Sequence, residues 1–363
     1  MKEKISKIED FGYCDFFENE RVKLGLNLFE VARVTSELRG AYKVKNSNGE
    51  FLAKVPGKHI FKASSRQDYP AVGDWVAISE LNKEQALIQA VLPRKTSLKR
   101  KYGDRNEAQL IATNIDVAFV IESVDRDFNL NRIERYSAIA SNDGIKTVVI
   151  LNKVDLITEQ EASLKLQQIK ERLEDVDIIM TSILTEKGLA QLKAYLEKGK
   201  SYCFLGSSGV GKSSLINKLL AGDLIKTNEI GLHSSRGKHT TTAREMYFLE
   251  NGAIVIDNPG TREVGMTDTS AGIASLFDEI TALSEKCKFV DCTHLQEPGC
   301  SVLSALKTGE LSQEKYLNFI SLKKETEHFK MNQLEKREKE RNFGKFIKKA
   351  KKDLKNHSHK DYD

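Results

Sequence analysis

The chain has 363 residues, 40% of them hydrophobic and 30% charged, with a net charge of +5; at ~100–200 residues per domain, two or three soluble domains are expected. No apolar run approaches the ~20 residues that a membrane helix needs, and the charged start MKEKISKIEDFGYCDFFENER has no apolar core of signal-peptide type, so a cytoplasmic protein without membrane contact is expected. Five cysteines do not make a disulfide scaffold in a chain this long, and three of them, Cys287, Cys292 and Cys300, fall close together, which points to metal.

Residues 1–29 form an N-terminal extension. Residues 30–97 read as short strands: EVARVTSELRGAYKVKNSNGEFLAKV alternates with period two, NSNGE is a hairpin turn, and YPAVGDWVAI and ALIQAVLP add further strands. That density of short strands fits a small β-barrel of the OB type. A basic linker follows at 98–109, within PRKTSLKRKYGDRNE.

Residues 110–266 alternate strand and helix, the pattern of a doubly wound α/β domain. NIDVAFVIESV, IKTVVILNKVDL, DIIMTSI, SYCFLG and GAIVIDNPG read as strands. LNRIERYSAIASNDG, EQEASLKLQQIKERLEDV, KGLAQLKAYLEKG and SSLINKLLAG read as helices. The motifs fall at strand ends, where such folds bind ligands. DLIKTNEIGLHSSRGKHTTTAR has no periodicity, and a long structureless loop in a compact domain is usually functional or disordered. Residues 267–330 are mainly helical. Residues 331–363 form a basic tail: from 335 onward it carries eleven Lys/Arg against six Asp/Glu, an excess of +5 that equals the charge of the whole chain. Such a tail is either a solvated, frayed helix or a contact with a polyanion such as nucleic acid.

The strongest motif is Gly206-Ser207-Ser208-Gly209-Val210-Gly211-Lys212-Ser213, which matches the phosphate-binding G-x-x-x-x-G-K-[ST] loop between a strand and a helix. Its glycines let backbone N–H groups turn toward phosphates at the helix N-terminus. Lys212 reaches the β- and γ-phosphates, the Ser213 hydroxyl ligates Mg²⁺, and Ser214 continues the run. Asp257 and Gly260 of Asp257-Asn258-Pro259-Gly260 follow a strand, suited to the Mg²⁺ shell and the γ-phosphate. Asn152-Lys153-Val154-Asp155 suits guanine: the Asp155 carboxylate accepts from both ring N1–H and the 2-amino group, Lys153 lies along the base, and Asn152 ties this loop to the phosphate loop. Ser182, in Thr181-Ser182-Ile183, sits where a backbone N–H reads guanine O6.

These motifs, with the switch-like threonine run at 240–242, come in the order 152, 181, 206, 240–242, 257, with the guanine motif first. That is the order of a GTPase whose original termini are joined and whose chain is cut between the DxxG and NKxD strands, a rearrangement that compact domains tolerate. Cys287-x4-Cys292-x-His294-x5-Cys300 supplies three thiolates and an imidazole, a closed tetrahedral set of structural-zinc type, one ion per chain.

AVGDWV, LPRKTSLKRK, DFNLNRIERY, VVILNKVDL, GSSGVGKSSLIN, GKHTTT, DNPGTRE and CKFVDCTHLQEPGC together resemble the ribosome small-subunit-dependent GTPase A family, the circularly permuted GTPases that mature the small ribosomal subunit. The resemblance spans nearly the whole chain. It implies an OB-type barrel, a permuted P-loop GTPase domain and a C-terminal zinc domain. It also implies binding of the small ribosomal subunit and its rRNA in late maturation, with Mg-dependent hydrolysis of GTP to GDP that the subunit stimulates; a monomer is expected. Thr241 is implied as the residue that closes on Mg²⁺ and the γ-phosphate. Thr261 and Arg262 stand where many GTPases carry a water-orienting Gln, so His239 in GKHTTT becomes the nearest candidate for that role, with Lys212 and Thr241 completing the catalytic set. The alternatives are a non-ribosomal regulatory GTPase, a P-loop ATPase with an RNA-binding module and an accidental NKVD, and a non-enzymatic RNA-binding protein.

Overall fold

The computed structural model describes residues 7–57, 65–101, 107–125, 128–220, 222, 244–258, 265–331 and 335. Five strands, β1 (Glu30–Leu38), β2 (Ala41–Asn46), β3 (Gly49–Lys54), β4 (Trp75–Glu80) and β5 (Gln85–Val91), close into a ring. Strand β1 pairs with both β2 and β4, and β3 runs parallel to β5, so the order β1-β2-β3-β5-β4 returns to its start. Closure leaves no open sheet edge. The period-two alternation sends Ala32, Val34, Val44, Phe51, Val76 and Ile78 inward. The turn of NSNGE is held by the Asn46 side chain, which accepts from the N–H groups of Asn48 and Gly49.

Strand β1 is buried on both faces from residue 31 to 36. The extension covers its outer side: a 3-10 turn at Ile8–Phe11 and helix α1 (Asp15–Lys23) pack Phe11 and Phe17 against Val31, Trp75 and Leu92. Arg33, fully buried in this layer, donates to the carbonyls of Phe11, Gly73 and Asn114 and to the Ser201 hydroxyl. One guanidinium thereby fastens the extension, the barrel and the following unit.

The stretch 98–109 is not a bare linker. Strand β6 (Ser97–Lys101) pairs antiparallel with β7 (Ala108–Thr113). Leu98, Leu110, Ile111 and Ala112 of this ribbon are buried while Lys99, Arg100 and Lys101 stay partly exposed, so charge-rich composition concealed a strand pair.

The α/β unit runs β8 (Val117–Ser123), α2 (Leu130–Ser141), β9 (Lys146–Asn152), α3 (Glu159–Arg172), β10 (Asp177–Thr181), α4 (Leu189–Tyr195), β11 (Ser201–Leu205), α5 (Lys212–Leu219), β12 (Glu245–Phe248) and β13 (Ile254–Asp257). Strands β10-β9-β8-β11-β13 are parallel, and β12 runs antiparallel to β13. A single pair, Ser36 with Glu245, links β12 to β1 of the barrel. Every residue of β8 is buried, as expected for a strand covered on both sides by helices. Phe119, Ile121, Val148, Ile150 and Phe204 pack on one side with α4 and α5. Ala118, Val120, Val149 and Leu151 pack on the other with Ile133, Tyr136 and Ile139 of α2.

The second of these cores continues into the C-terminal helices α6 (Ser270–Leu276), α7 (Asp278–Ser284), α8 (Ser301–Thr308) and α9 (Gln313–Lys330). Helix α6 approaches α2 so closely that a Cβ on Gly272 would lie 1.9 Å from the Ala138 carbonyl oxygen. Helix α9 is fixed to the α/β unit by the ion pair of Glu325 with Arg135 of α2, at 2.8 Å, and by Asn318 on a buried ion pair of α2 and α3. Arg172 donates to both carboxylate oxygens of Glu134 at 2.7 and 2.6 Å, and Glu134 also accepts from the Asn318 amide. No described helix is long and apolar enough to cross a membrane. The basic tail beyond 335 lies outside the described residues.

Candidate functional site

The carboxyl ends of the parallel strands converge on one region. β11 leads into the phosphate loop, whose Gly206, Gly209 and Gly211 all take positive φ. At Gly206 a Cβ would lie 2.4 Å from the Ile121 carbonyl oxygen, and at Gly211, φ +97, it would lie 2.4 Å from the Asn152 side-chain nitrogen. Ser208 and Gly209 are exposed at the mouth, Ser207 and Val210 are buried, and Ser213 and Ser214 stand in the first turn of α5. The buried Lys212 ammonium donates to the carbonyls of Gly206 and Ser207 at 2.7 and 2.6 Å. Burial pushes Lys212 down to about 8, while Asp257 and Glu122 act against the shift. Asp257, at the end of β13, is pushed up to about 6 by burial, with Lys212 opposing.

The guanine motif follows β9. Asn152, 1% exposed, donates to the Val210 carbonyl at 2.8 Å and accepts from the Thr181 hydroxyl at 2.9 Å. One side chain thus joins the ends of β9 and β10 to the phosphate loop, although Asn152 and Val210 stand 58 residues apart. Lys153 takes left-handed backbone (φ 62) and pairs with Asp125 at 2.9 Å. Asp155 is exposed. The Ser182 N–H donates to the Lys187 carbonyl, and the Ser182 hydroxyl accepts from the Thr185 N–H. Ser182 therefore shapes its loop with both groups. His239, Thr241 and Gly260 lie outside the described residues.

Two parts of the site were not foreseen from sequence. Glu122, fully buried at the end of β8, holds Arg132 of α2 through both oxygens at 3.1 and 2.6 Å. Asn258 donates to the Cys203 sulfur of β11 at 2.8 Å, which fixes the residue after Asp257 against the strand that feeds the phosphate loop. Glu122 belongs to no spaced motif, and Asn258 stands in DNPG at a position to which no role was assigned. The only hint in the sequence was a charged residue inside an otherwise apolar strand.

Cys287, Cys292, His294 and Cys300 come together, with their ligand atoms all within 4.8 Å of one another. Cys287 Sγ lies 3.8 Å from Cys300 Sγ and 3.7 Å from His294 Nδ1, and Cys300 Sγ lies 3.5 Å from the same nitrogen. Tetrahedral bonds of ~2.3 Å to sulfur and ~2.0 Å to nitrogen place their ends roughly 3.5–3.8 Å apart, so the donor set fits a metal of that size. Ser284 Oγ is 3.2 Å from His294 Nε2, and Tyr316 donates to the His294 carbonyl at 2.7 Å. These partners orient the ring with Nδ1 toward the thiols. Burial holds the imidazole below its ordinary pKa, which favours the neutral ring that a metal needs.

The comparisons with known proteins agree with this geometry. A model of the RsgA GTPase family matches residues 91–267. Small ribosomal subunit biogenesis GTPase RsgA 2 of Lactiplantibacillus plantarum is 40% identical over 333 residues, covering 91% of this chain and 93% of that one. The crystal structure of YjeQ from Thermotoga maritima superposes with a TM-score of 0.59 at 26% identity, over 80% of this chain and 96% of that one. That of YloQ, a circularly permuted GTPase, gives 0.58 at 23% identity, over 84% and 97%, a likeness of fold. A guanine loop that precedes the phosphate loop yet is tied to it, and a relative matched almost end to end, lead to one conclusion: the chain is a GTP hydrolase and belongs to the RsgA GTPase family.

Proposed function

We propose that this GTPase docks on the small ribosomal subunit late in its maturation, as a monomer in the cytoplasm, and hydrolyses GTP to GDP and phosphate faster when docked. The observation that carries the reading is the Asn152 bridge, which makes the guanine loop and the phosphate loop one site. Asp155 is exposed where it can accept from the guanine N1–H and amino group. Ser182 uses its own N–H within the loop, so we assign the O6 contact to the next amide, that of Ile183. Lys212 turns from the loop carbonyls toward the β- and γ-phosphates. Ser213 would hold Mg²⁺ directly and Asp257 through water; the metal supplies charge neutralisation on the phosphates. We keep Thr241 and Gly260 as contacts of Mg²⁺ and the γ-phosphate, and His239 as the group that orients water.

The Cys287, Cys292, His294 and Cys300 set would hold one structural zinc. Four protein ligands leave no open position for catalysis. The barrel, the basic ribbon and the tail provide the cationic surface for rRNA. The name of the Lactiplantibacillus plantarum relative supports the small subunit as partner. The test is the rate of GTP hydrolysis with and without purified small subunits at one salt concentration. A rise is expected; an unchanged rate would remove the subunit from the reading, and preference for ATP in competition would remove guanine.

A further inference from the structure

The cation of the NKVD run is held at both ends. Lys153 takes left-handed backbone, φ 62 and ψ 35, which residues with a Cβ rarely adopt. Its carbonyl accepts from the Leu156 N–H at 3.0 Å, which closes the turn after it. Its ammonium lies 2.9 Å from Asp125 Oδ2. Asp125 stands just past β8, and backbone bonds fix it there. The Val124 N–H donates to the Asn152 carbonyl at 3.1 Å, and the Asp125 carbonyl accepts from the Phe128 N–H at 3.1 Å. Val124 is buried, and Phe128 packs against the same core. The pair therefore spans the ends of β8 and β9, beside the joint that Asn152 makes with the phosphate loop. The Lys153 side chain keeps 27% of its surface open and that of Asp125 33%, so the stem is anchored yet still accessible to a base.

We infer that Asp125 is a positioning residue for the guanine base, acting through the Lys153 ammonium. This rests on NKVD being the guanine loop. A lysine stem is flexible and loses much rotamer freedom when a ligand immobilises it. Here the turned backbone sets one end and the carboxylate sets the other before nucleotide arrives, so less of the ordering cost falls on binding. A base lying along the stem meets its methylenes, whereas Asp155 meets the ring N1–H and the amino group. Asp125 thus acts on affinity for the purine face and leaves the choice between purines to Asp155. It stands 28 residues before Lys153, outside every motif of the sequence.

The test uses the full chain with Asp125→Ala, Lys153→Met and the double variant. Lys153→Met keeps an unbranched apolar stem and removes the ammonium. Affinity for GDP is titrated with a fluorescent analogue at low and high salt. Inosine diphosphate, which lacks the amino group, is measured by competition. A partly exposed ion pair contributes modestly, so Asp125→Ala is expected to weaken GDP binding about fivefold, and inosine diphosphate binding by the same factor. Lys153→Met should show a similar loss, and the double variant no more than either alone, since each removes the same contact. The loss should shrink at high salt, where the wild-type pair is screened. Should Asp125→Ala fail to fold, Asp125→Asn takes its place in the same cycle. Unchanged GDP affinity in the Asp125 variant, losses that add in the double variant, a loss that persists in full at high salt, or one confined to GDP would overturn the inference. Asp155→Asn that binds GDP as tightly as wild type would instead overturn the assignment of NKVD to guanine beneath it.

Discussion

Replacing Asn152 by Ala tests the joint on which the nucleotide site depends. The side chain makes two buried hydrogen bonds, to the Val210 carbonyl and from the Thr181 hydroxyl. Each is worth about 1 kcal/mol net, and a partner left buried without a bond costs ~1–3 kcal/mol. The fold should therefore lose about 2–4 kcal/mol. The two loops would no longer be held in register before nucleotide arrives. Binding must then supply the roughly 2 kcal/mol that the two bonds contributed, which is about a 30-fold loss of affinity. The loss should be equal for GTP and GDP, since both carry the base and the β-phosphate. Titration with a fluorescent GDP analogue, followed by competition with GTP, measures it. Gly211→Ala attacks the same joint from the other side, because its Cβ would meet the Asn152 side-chain nitrogen at 2.4 Å. The double variant should thus lose less than the two single losses added together. Affinity within twofold of wild type in Asn152→Ala, or a loss confined to GTP, would refute the argument.

Three further outcomes follow from the site. Asp155→Asn should shift preference from GTP toward xanthosine triphosphate, whose base offers a carbonyl where guanine offers an amino group; unchanged preference in competition binding would take NKVD out of the site. The raised pKa of Asp257, about 6, stabilises the fold below the ordinary carboxylate value of ~3.9, and that contribution is lost as pH rises through about 6. Binding of Mg-GTP calls for the ionised form, so affinity should fall up to about tenfold per unit as pH drops below about 6, with proton release by calorimetry that vanishes in Asp257→Asn. Metal analysis should find one zinc per chain, and Cys292→Ser should lose it and loosen α7 and α8 while GDP still binds; protein purified without chelator that contains no zinc would contradict this.

Much of the site was legible because its chemistry is written as short spacings. The phosphate loop, NKVD and the Cys/His set each lie within fourteen residues, and the positions of the first two at strand ends follow from alternation of strand and helix. The joint between Asn152 and Val210 was also accessible, because the order of motifs demanded a shared site. What stayed hidden depends on pairs distant in sequence and ordinary in type. Glu122 with Arg132, Arg172 with Glu134, and Met266 with Glu325 are charged residues or backbone groups whose partners only the fold selects. The ribbon of β6 and β7 was missed for another reason. Its lysines and arginines dominate the composition, while its burial rests on a few residues such as Leu98 and Ile111. Burial of β1 on both faces was likewise invisible, since the cover comes from Phe11 and Phe17 in a segment with little periodicity.

The permutation also explains where the other modules attach. An α/β unit cut between its DxxG and NKxD strands must have its new ends near each other, since the original chain once ran directly between them. The structure has that property. The chain enters the unit through the ribbon β6–β7 and emerges after β13 at Gly265, and the Lys101 N–H meets the Gly265 carbonyl at 3.0 Å. The same ribbon accepts Arg244, the residue before β12, at the Leu110 carbonyl at 2.8 Å. Arg244 also lies 3.7 Å from Glu37 of the barrel. Arg244 before β12 and Gly265 after β13 are therefore both tied to a single strand pair. Here the end that follows β13 is held by β6 and by α9, through the Gly265 carbonyl and the Met266 N–H, so the barrel side and the C-terminal helices meet where the unit is cut.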